Sequence, residues 1–269
     1  MLKKPLEPRR NSTLAALCMA ASLGYTPTGV AEPSASIKTG AGWEFRTAAY
    51  LWMANINGTQ TVKGQEADLD VGFGDVLNVL DFAAEAHIEA LKDNKWGFFI
   101  DGTYLKLGPE AKEGPIHIRI GYKYWLWELG GVYRANTWST NNGHAAVDLL
   151  LGGRYTSMDV DLDYQKLPLP NVGGSASWTD LIAGARLVMD LPHNWSLVLR
   201  GDVGGFGIGG SSDLSAQGVL IARWNFKPDW NLVAGYRALY QDYQKGSGAN
   251  KFAYDGTTHG PLVGLEYRF

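Results

Sequence analysis

The chain has 269 residues, a formal net charge of −3, 45% apolar residues, ten tryptophans, thirteen tyrosines and 34 glycines, against a single cysteine. That charge excludes a broadly basic nucleic-acid surface, one cysteine excludes a disulfide framework, and no window nears the ~20 consecutive apolar residues of a helical span. Glycine at roughly twice its ordinary frequency, many aromatics and apolar residues that alternate rather than run on all suit a β-barrel wall.

The first element is an export leader. Lys3, Lys4, Arg9 and Arg10 form a basic start, and Leu14 to Leu23 is an apolar run too short to cross a bilayer as a helix. Thr28-Gly29-Val30-Ala31 then offers small residues for cleavage. Residues 1–31 are therefore read as a cleaved signal peptide, 32–42 as a short periplasmic segment and 43–269 as one barrel domain. Arg9-Arg10 lacks the apolar consensus of a twin-arginine signal, and Leu17 before Cys18 is too large for a lipidation site. The leader carries four positive charges and one negative, so the mature part has net charge −6 and no cysteine for thiol chemistry.

From residue 43 onward, tight turns are followed at once by tryptophan: Asp93-Asn94-Lys95-Trp96, Pro192-His193-Asn194-Trp195 and Pro228-Asp229-Trp230, with Ala135-Asn136-Thr137-Trp138 as a looser copy and Trp43 after Gly40-Ala41-Gly42. Asn, Asp, Pro and Gly are the residues that tight turns require. Tryptophan favours the water–lipid boundary, where its ring is half apolar and its N–H stays wet. Trp43, Trp96, Trp138, Trp195 and Trp230 at the starts of alternate strands thus predict one aromatic girdle on the short-turn, periplasmic side.

These anchors predict about ten strands, with eight to twelve open: upward near 43–56, 96–107, 144–157, 195–207 and 230–243, downward near 82–93, 115–134, 176–190, 215–227 and 254–269. An antiparallel up-and-down transmembrane barrel, all-β and closed, is the fold class. Residues 74–91 also have helical spacing, with Asp75 as a cap. However, Ala84, Ala86, Ile88 and Ala90 alternate cleanly with Glu85, His87 and Glu89. Residues 82–93 are kept as strand, with a short helix at 74–81 and Ala67 to Val71 as a further pairing segment.

The chain ends on Val263, Leu265, Tyr267 and Phe269, alternating with Gly264, Glu266 and Arg268. Successive side chains of a strand point to opposite faces, so one face of this strand is apolar and the other charged. Leu265, Tyr267 and Phe269 form the expected barrel-assembly signal, which implies the assembly machinery as a partner during biogenesis.

Carried through every strand, the alternation sends Glu44, Arg46, Glu85, His87, Glu89, Asp101, Arg119, Lys123, Glu128 and Arg134 to the lumen. From the second half it adds Asp148, Arg154, Arg186, Asp190, Arg200, Asp202, Arg223, Arg237, Glu266 and Arg268. Lipid-facing charges at the midplane would cost ~2–4 kcal/mol each, which is the reason to place them inside. Keeping both Lys123 and Glu128 inside needs a register change around Trp125–Trp127. Interleaved signs imply an ion-pair network rather than a one-sign selectivity ring. Ten strands leave a lumen that long side chains can cross.

Gly205, Gly207 and Gly210 satisfy a GxGxxG pattern, but Ser211-Ser212-Asp213 opens another loop instead of a helix, so the stretch reads as a bend at the barrel rim. Glu85, His87, Glu89 and Asp101 have the chemistry for a metal or for acid–base work, and lumenal ion pairing with Arg46 or Arg119 explains them more simply. Glu66, Asp68 and Asp70, and likewise Asp159, Asp161 and Asp163, place three carboxylates on one side of an extended segment. As loop residues these would suit divalent cations or simply be solvated. No catalytic set, cofactor or metal site is assigned.

Ala49-Tyr50-Leu51-Trp52, Phe73-Gly74-Asp75-Val76-Leu77, Gly201-Asp202-Val203-Gly204-Gly205-Phe206 and Gly235-Tyr236-Arg237, together with the terminal strand, occur in order along 43–269. In this combination the chain resembles a family of small, largely uncharacterised Gram-negative outer-membrane β-barrel proteins. The resemblance implies location in the bacterial outer membrane, among its lipids and lipopolysaccharide, and carries no family reaction. Three functions stay open: a nearly closed barrel with a structural or loop-mediated role, a narrow porin-like channel for small polar solutes, and an embedded hydrolase acting through His87.

Overall fold

The computed structural model describes Ile37 and residues 41–108, 110–113, 116–165 and 172–269, with the side chains of 110–120, 162–165 and 172 excepted. The leader at 1–31 lies outside the described residues. The chain forms β1 (Trp43–Trp52), β2 (Asn55–Val62), β3 (Gln65–Val71), α1 (Phe73–Val79), β4 (Leu80–Lys92), β5 (Trp96–Leu107), β6 (Glu110–Glu113), β7 (Ile116–Thr140) and β8 (Gly143–Gln165). It continues through β9 (Val172–Leu191), β10 (Trp195–Gly205), β11 (Leu214–Lys227), β12 (Trp230–Lys245) and β13 (Phe252–Arg268).

All of these strands belong to one antiparallel sheet, and β1 pairs with β4 on one side and β13 on the other, so the wall closes on itself. β2 continues the line of β1 against β13, while β3 and β6 are additions at the rim. Among the described residues, the thirteen strands therefore make ten staves of an up-and-down barrel.

The short turns follow from local chemistry. Asp93 and Asn94 have φ of 52° each, and His193 and Asn194 have 59° and 63°. Two successive residues in the left-handed region form the type I′ turn whose twist matches a hairpin, and Asn and Asp tolerate it best. The Asp93 carboxylate also accepts the Gly42 amide at 2.7 Å, tying the first turn to the entry of β1.

One expectation needs correction. Ala135–Trp138 is not a turn: β7 runs on to Thr140, absorbing one residue as a bulge between Arg134 and Asn136, and the reversal falls at Asn141-Asn142. Trp138 therefore ends a downward strand instead of starting an upward one. The pairing expected of Ala67 to Val71 and the short helix expected at 74–81 are both present, as β3 at 65–71 against β2 and α1 at 73–79.

Leu149, Leu151, Leu181, Leu199, Val203, Leu220, Leu232, Val263 and Leu265 are exposed on the outer face, and each is flanked in sequence by inward positions. An apolar exterior on a closed wall, with no unpaired edge along most of its height, is the arrangement that hydrocarbon tolerates. Trp43, Trp96, Trp138 and Trp195 are exposed at one end of the barrel, and Trp230 packs there against Tyr267, ring centroids 4.8 Å apart and tilted by 49°. Trp224 joins this belt opposite Trp195, with ring centroids 6.2 Å apart.

The last residue helps close the wall. Phe45 and Phe269 exchange both backbone hydrogen bonds, at 2.9 and 3.0 Å, and their rings stack at 5.4 Å. Deleting Phe269 is expected to lower stability by about 3 kcal/mol, taking ~1 for each hydrogen bond and ~1 for the ring pair. The urea midpoint of the refolded barrel, read by its heat-dependent gel shift, measures the loss; an unchanged midpoint would contradict this role for Phe269.

Candidate functional site

Inward positions on all ten staves converge on a lumen with two layers. The layer toward the short turns is ionic. Arg46 pairs with Glu44 at 2.6 Å and Glu266 at 3.6 Å, and Glu266 also holds Arg223 at 3.0 Å and the Asn231 amide at 2.9 Å. Arg134 grips Asp148 through two hydrogen bonds at 2.7 and 3.1 Å. Arg186 bridges Asp148 at 2.7 Å to Glu89.

Above this lies the centre of the network. Glu128 of β7 accepts from Arg154 of β8 at 2.8 Å, Arg200 of β10 at 2.9 Å and Arg237 of β12 at 3.0 Å. Arg154 and Arg200 also share Asp202, at 2.5 and 2.8 Å, and Arg154 donates to the Ser215 hydroxyl at 2.8 Å. Arg237 reaches Asp101 at 3.1 Å and Gln217 at 2.8 Å. Guanidinium groups with several forked donors suit this sharing of carboxylates across the barrel.

Of Glu85, His87, Glu89 and Asp101, His87 stands between Asp101 and Glu89, while Glu85 turns to the backbone of β1. His87 Nδ1 lies 3.3 Å from Asp101, and its Nε2 lies 3.9 Å from Glu89. Each carboxylate is already committed: Asp101 to Arg237 and the Tyr50 hydroxyl, Glu89 to Arg186, and Glu85 to the Trp52 amide at 2.6 Å. The last bond sits where the β1–β4 ladder stops at Ala49 and Ala86, so a side chain takes over from the missing strand partner. Among the described residues, no group of three His, Cys, Asp or Glu side chains gathers to hold a metal ion. Glu66, Asp68 and Asp70 lie along β3, with Asp70 accepting from Asn57 at 3.0 Å, and Asp159 and Asp161 lie along β8; the Asp163 side chain is outside the described ones.

Sequence reasoning missed the second layer. Trp52, Tyr124, Leu126, Met158, Trp178, Leu239, Tyr243, Phe252, Tyr254 and Leu262 form one buried apolar cluster across the lumen, toward the long-loop end. Trp178 and Tyr243 stack at 4.2 Å, and the Arg237 guanidinium lies 4.9 Å over the Trp52 ring, joining the two layers. Among the described residues, the interior also holds a cavity of about 90 Å³, whose lining includes Tyr50, His87, Arg200 and Arg237 together with Val198, Val219 and Leu262. That is room for a few waters. Ile37, from the segment read as periplasmic, is buried against Ala146, Val188 and Val198.

Lys123 is a second correction. Tyr124, Leu126, Glu128, Val132 and Arg134 are all buried while Lys123, Trp125 and Trp127 are exposed, so the alternation is unbroken and Lys123 lies outside. The register change expected near Trp125 does not occur, and Lys123 stands opposite Asp159 high on the wall. Arg119 falls among the undescribed side chains. Asp190 accepts from the His144 amide at 3.0 Å, and Arg268 is buried beside the Glu266 position. Asp180, not singled out from sequence, is also fully buried and accepts the Ser212 amide at 2.8 Å. The same alternation that reaches Arg186 and Asp190 passes through it.

Glu128→Leu would leave three arginines without their shared acid, and removing one partner from a buried ionic group costs ~3–5 kcal/mol. Lys123→Met, on the outer wall, is expected to change stability by less than ~0.5 kcal/mol. Urea titration of the two refolded variants checks both; comparable losses would contradict the assigned register.

No family model and no curated protein matches the sequence. Solved structures do. The outer membrane protease OmpT from Escherichia coli is similar with a TM-score of 0.56 at 8% identity, covering 84% of this chain and 97% of that one. Ail, the attachment invasion locus protein of Yersinia pestis, matches with a TM-score of 0.36 at 16% identity over 85% of this chain and 99% of that one. The translocator domain of the autotransporter NalP from Neisseria meningitidis gives 0.36 at 16% identity over 86% and 89%. The first of these is a likeness of fold alone, and the other two are too distant to add to it. The fold is that of the bacterial outer-membrane β-barrels.

Proposed function

We propose that the protein is an integral outer-membrane barrel of a Gram-negative cell whose lumen does not conduct, and whose work is structural or done at its outer rim and loops. The observation that carries this reading is the transverse filling of the lumen. Glu128 and Arg154 have essentially no exposed surface, and an apolar layer lies above them. A ten-stave barrel is close to the width at which side chains fill the interior, whereas water-filled channels need about sixteen staves. In this reading a basic leader exports the chain, the assembly machinery recognises Leu265, Tyr267 and Phe269, and outer-membrane lipids with lipopolysaccharide surround the wall.

The channel reading would require a continuous polar path, and the apolar layer interrupts one. For hydrolysis, the His87–Asp101 pair would need an open approach for a substrate, yet Asp101 is committed to Arg237, which is itself covered by Trp52. Both groups read more simply as braces.

Refolded mature protein in a planar bilayer, with folding checked beforehand by gel shift, is expected to give no steady conductance steps. Steps whose size changes on Arg200→Ala or Arg237→Ala would overturn the closed reading in favour of a narrow pore.

A further inference from the structure

The turn between β10 and β11 has no place in the lumen, and it is the most exposed apolar feature of the rim. Ile208 is 72% exposed and Phe206 60%, the former more than any other large apolar side chain described. From Val203 to Ser212 the sequence carries no charge. Phe206 has φ of 69° and sits between Gly205 at 91° and Gly207 at 66°. An aromatic side chain in the left-handed region is an outlier that persists only where surrounding structure enforces it, and such strain concentrates at functional contacts.

The enforcing structure is visible. The Gly207 amide donates to the Ser212 carbonyl at 2.8 Å, the Ser211 hydroxyl donates to the Gly205 carbonyl at 3.0 Å, and the Ser211 amide donates to the Ile208 carbonyl at 3.2 Å. Ser212 is fully buried, and its amide is anchored on Asp180 at 2.8 Å. The loop thus satisfies these polar groups internally and presents two apolar side chains on a fixed base.

Height decides which medium. β10 has eleven residues, against twenty-three in β8 and twenty in β9. Eleven residues at ~3.3 Å each, tilted by about 40°, rise ~28 Å from the tryptophan girdle. The outer apolar band of such barrels is ~25 Å tall. The loop therefore crowns a low point of the rim, at the level where hydrocarbon meets headgroups. The exposed band below it continues without a polar break through Val203, Leu199 and Leu181.

We propose that Phe206 and Ile208 insert into the acyl boundary of the outer-leaflet lipid, making this loop a fixed lipid-contacting anchor. The proposal rests on the membrane-spanning reading. Its test uses the absence of cysteine from the mature chain. Ile208→Cys, Leu199→Cys and Ser247→Cys are each labelled with an environment-sensitive fluorophore, refolded into phosphatidylcholine vesicles, and quenched by lipid-borne nitroxide or by aqueous iodide. Phe206→Cys replaces Ile208→Cys if that variant folds poorly. At Ile208 the expected result is a lipid-quenching loss comparable to that at Leu199, with iodide quenching well below that at Ser247. Iodide quenching equal to that at Ser247 would overturn the proposal, as would shielding from both quenchers, which would point to a protein partner or a second copy. Loss of lipid quenching at Leu199 as well would instead overturn the membrane-spanning reading itself.

Discussion

Glu128 lies without exposed surface among Arg154, Arg200 and Arg237, contributed by three other staves, and the interior of the barrel is arranged around that arrangement of charge. A buried carboxylate costs several kcal/mol in lost hydration, and two buried guanidinium groups with a third half-buried one cost more. The attraction among them offsets this only when every donor and acceptor is placed. Asp202, Asp101, Gln217 and Ser215 take up the remaining donors. Because these partners come from opposite walls, satisfying them fixes the width of the barrel as well as its register.

The apolar layer above has a different logic. Water held over a charged network would compete for its hydrogen bonds, whereas Trp52, Tyr124, Leu126 and Trp178 exclude it. The cation–π contact between Arg237 and Trp52 joins the two regimes at one residue. The protein is thus apolar on its lipid face, ionic in one half of its lumen and packed like a soluble core in the other.

Much of this was legible in the alternation. Arg134, Asp148, Arg154, Arg186, Arg200, Asp202, Arg223, Arg237 and Glu266 stand at inward positions because charge at period two has only one affordable face. The aromatic layer was not legible for a related reason. Apolar residues satisfy either face of a lipid-embedded wall, so Trp52 or Tyr124 gives no sign of which side it occupies. Lys123 was misplaced because it stands high on the wall, beyond the level where outward charge is costly. The turn near Trp138 was misplaced because Asn136-Thr137 resembles a reversal, although Asn142-Gly143 is the stronger hairpin signal. The bulge after Arg134 keeps that arginine inside while the strand continues.

Everything above depends on the apolar layer closing the lumen across its width. The most direct measurement is the rate at which a membrane-impermeant thiol reagent modifies Met158→Cys in the folded barrel, since Met158 is buried in the apolar layer. The account predicts modification orders of magnitude slower than at a cysteine placed on the rim, limited by local opening. Modification at the rim rate, with the gel shift intact, would mean an open lumen and would contradict it.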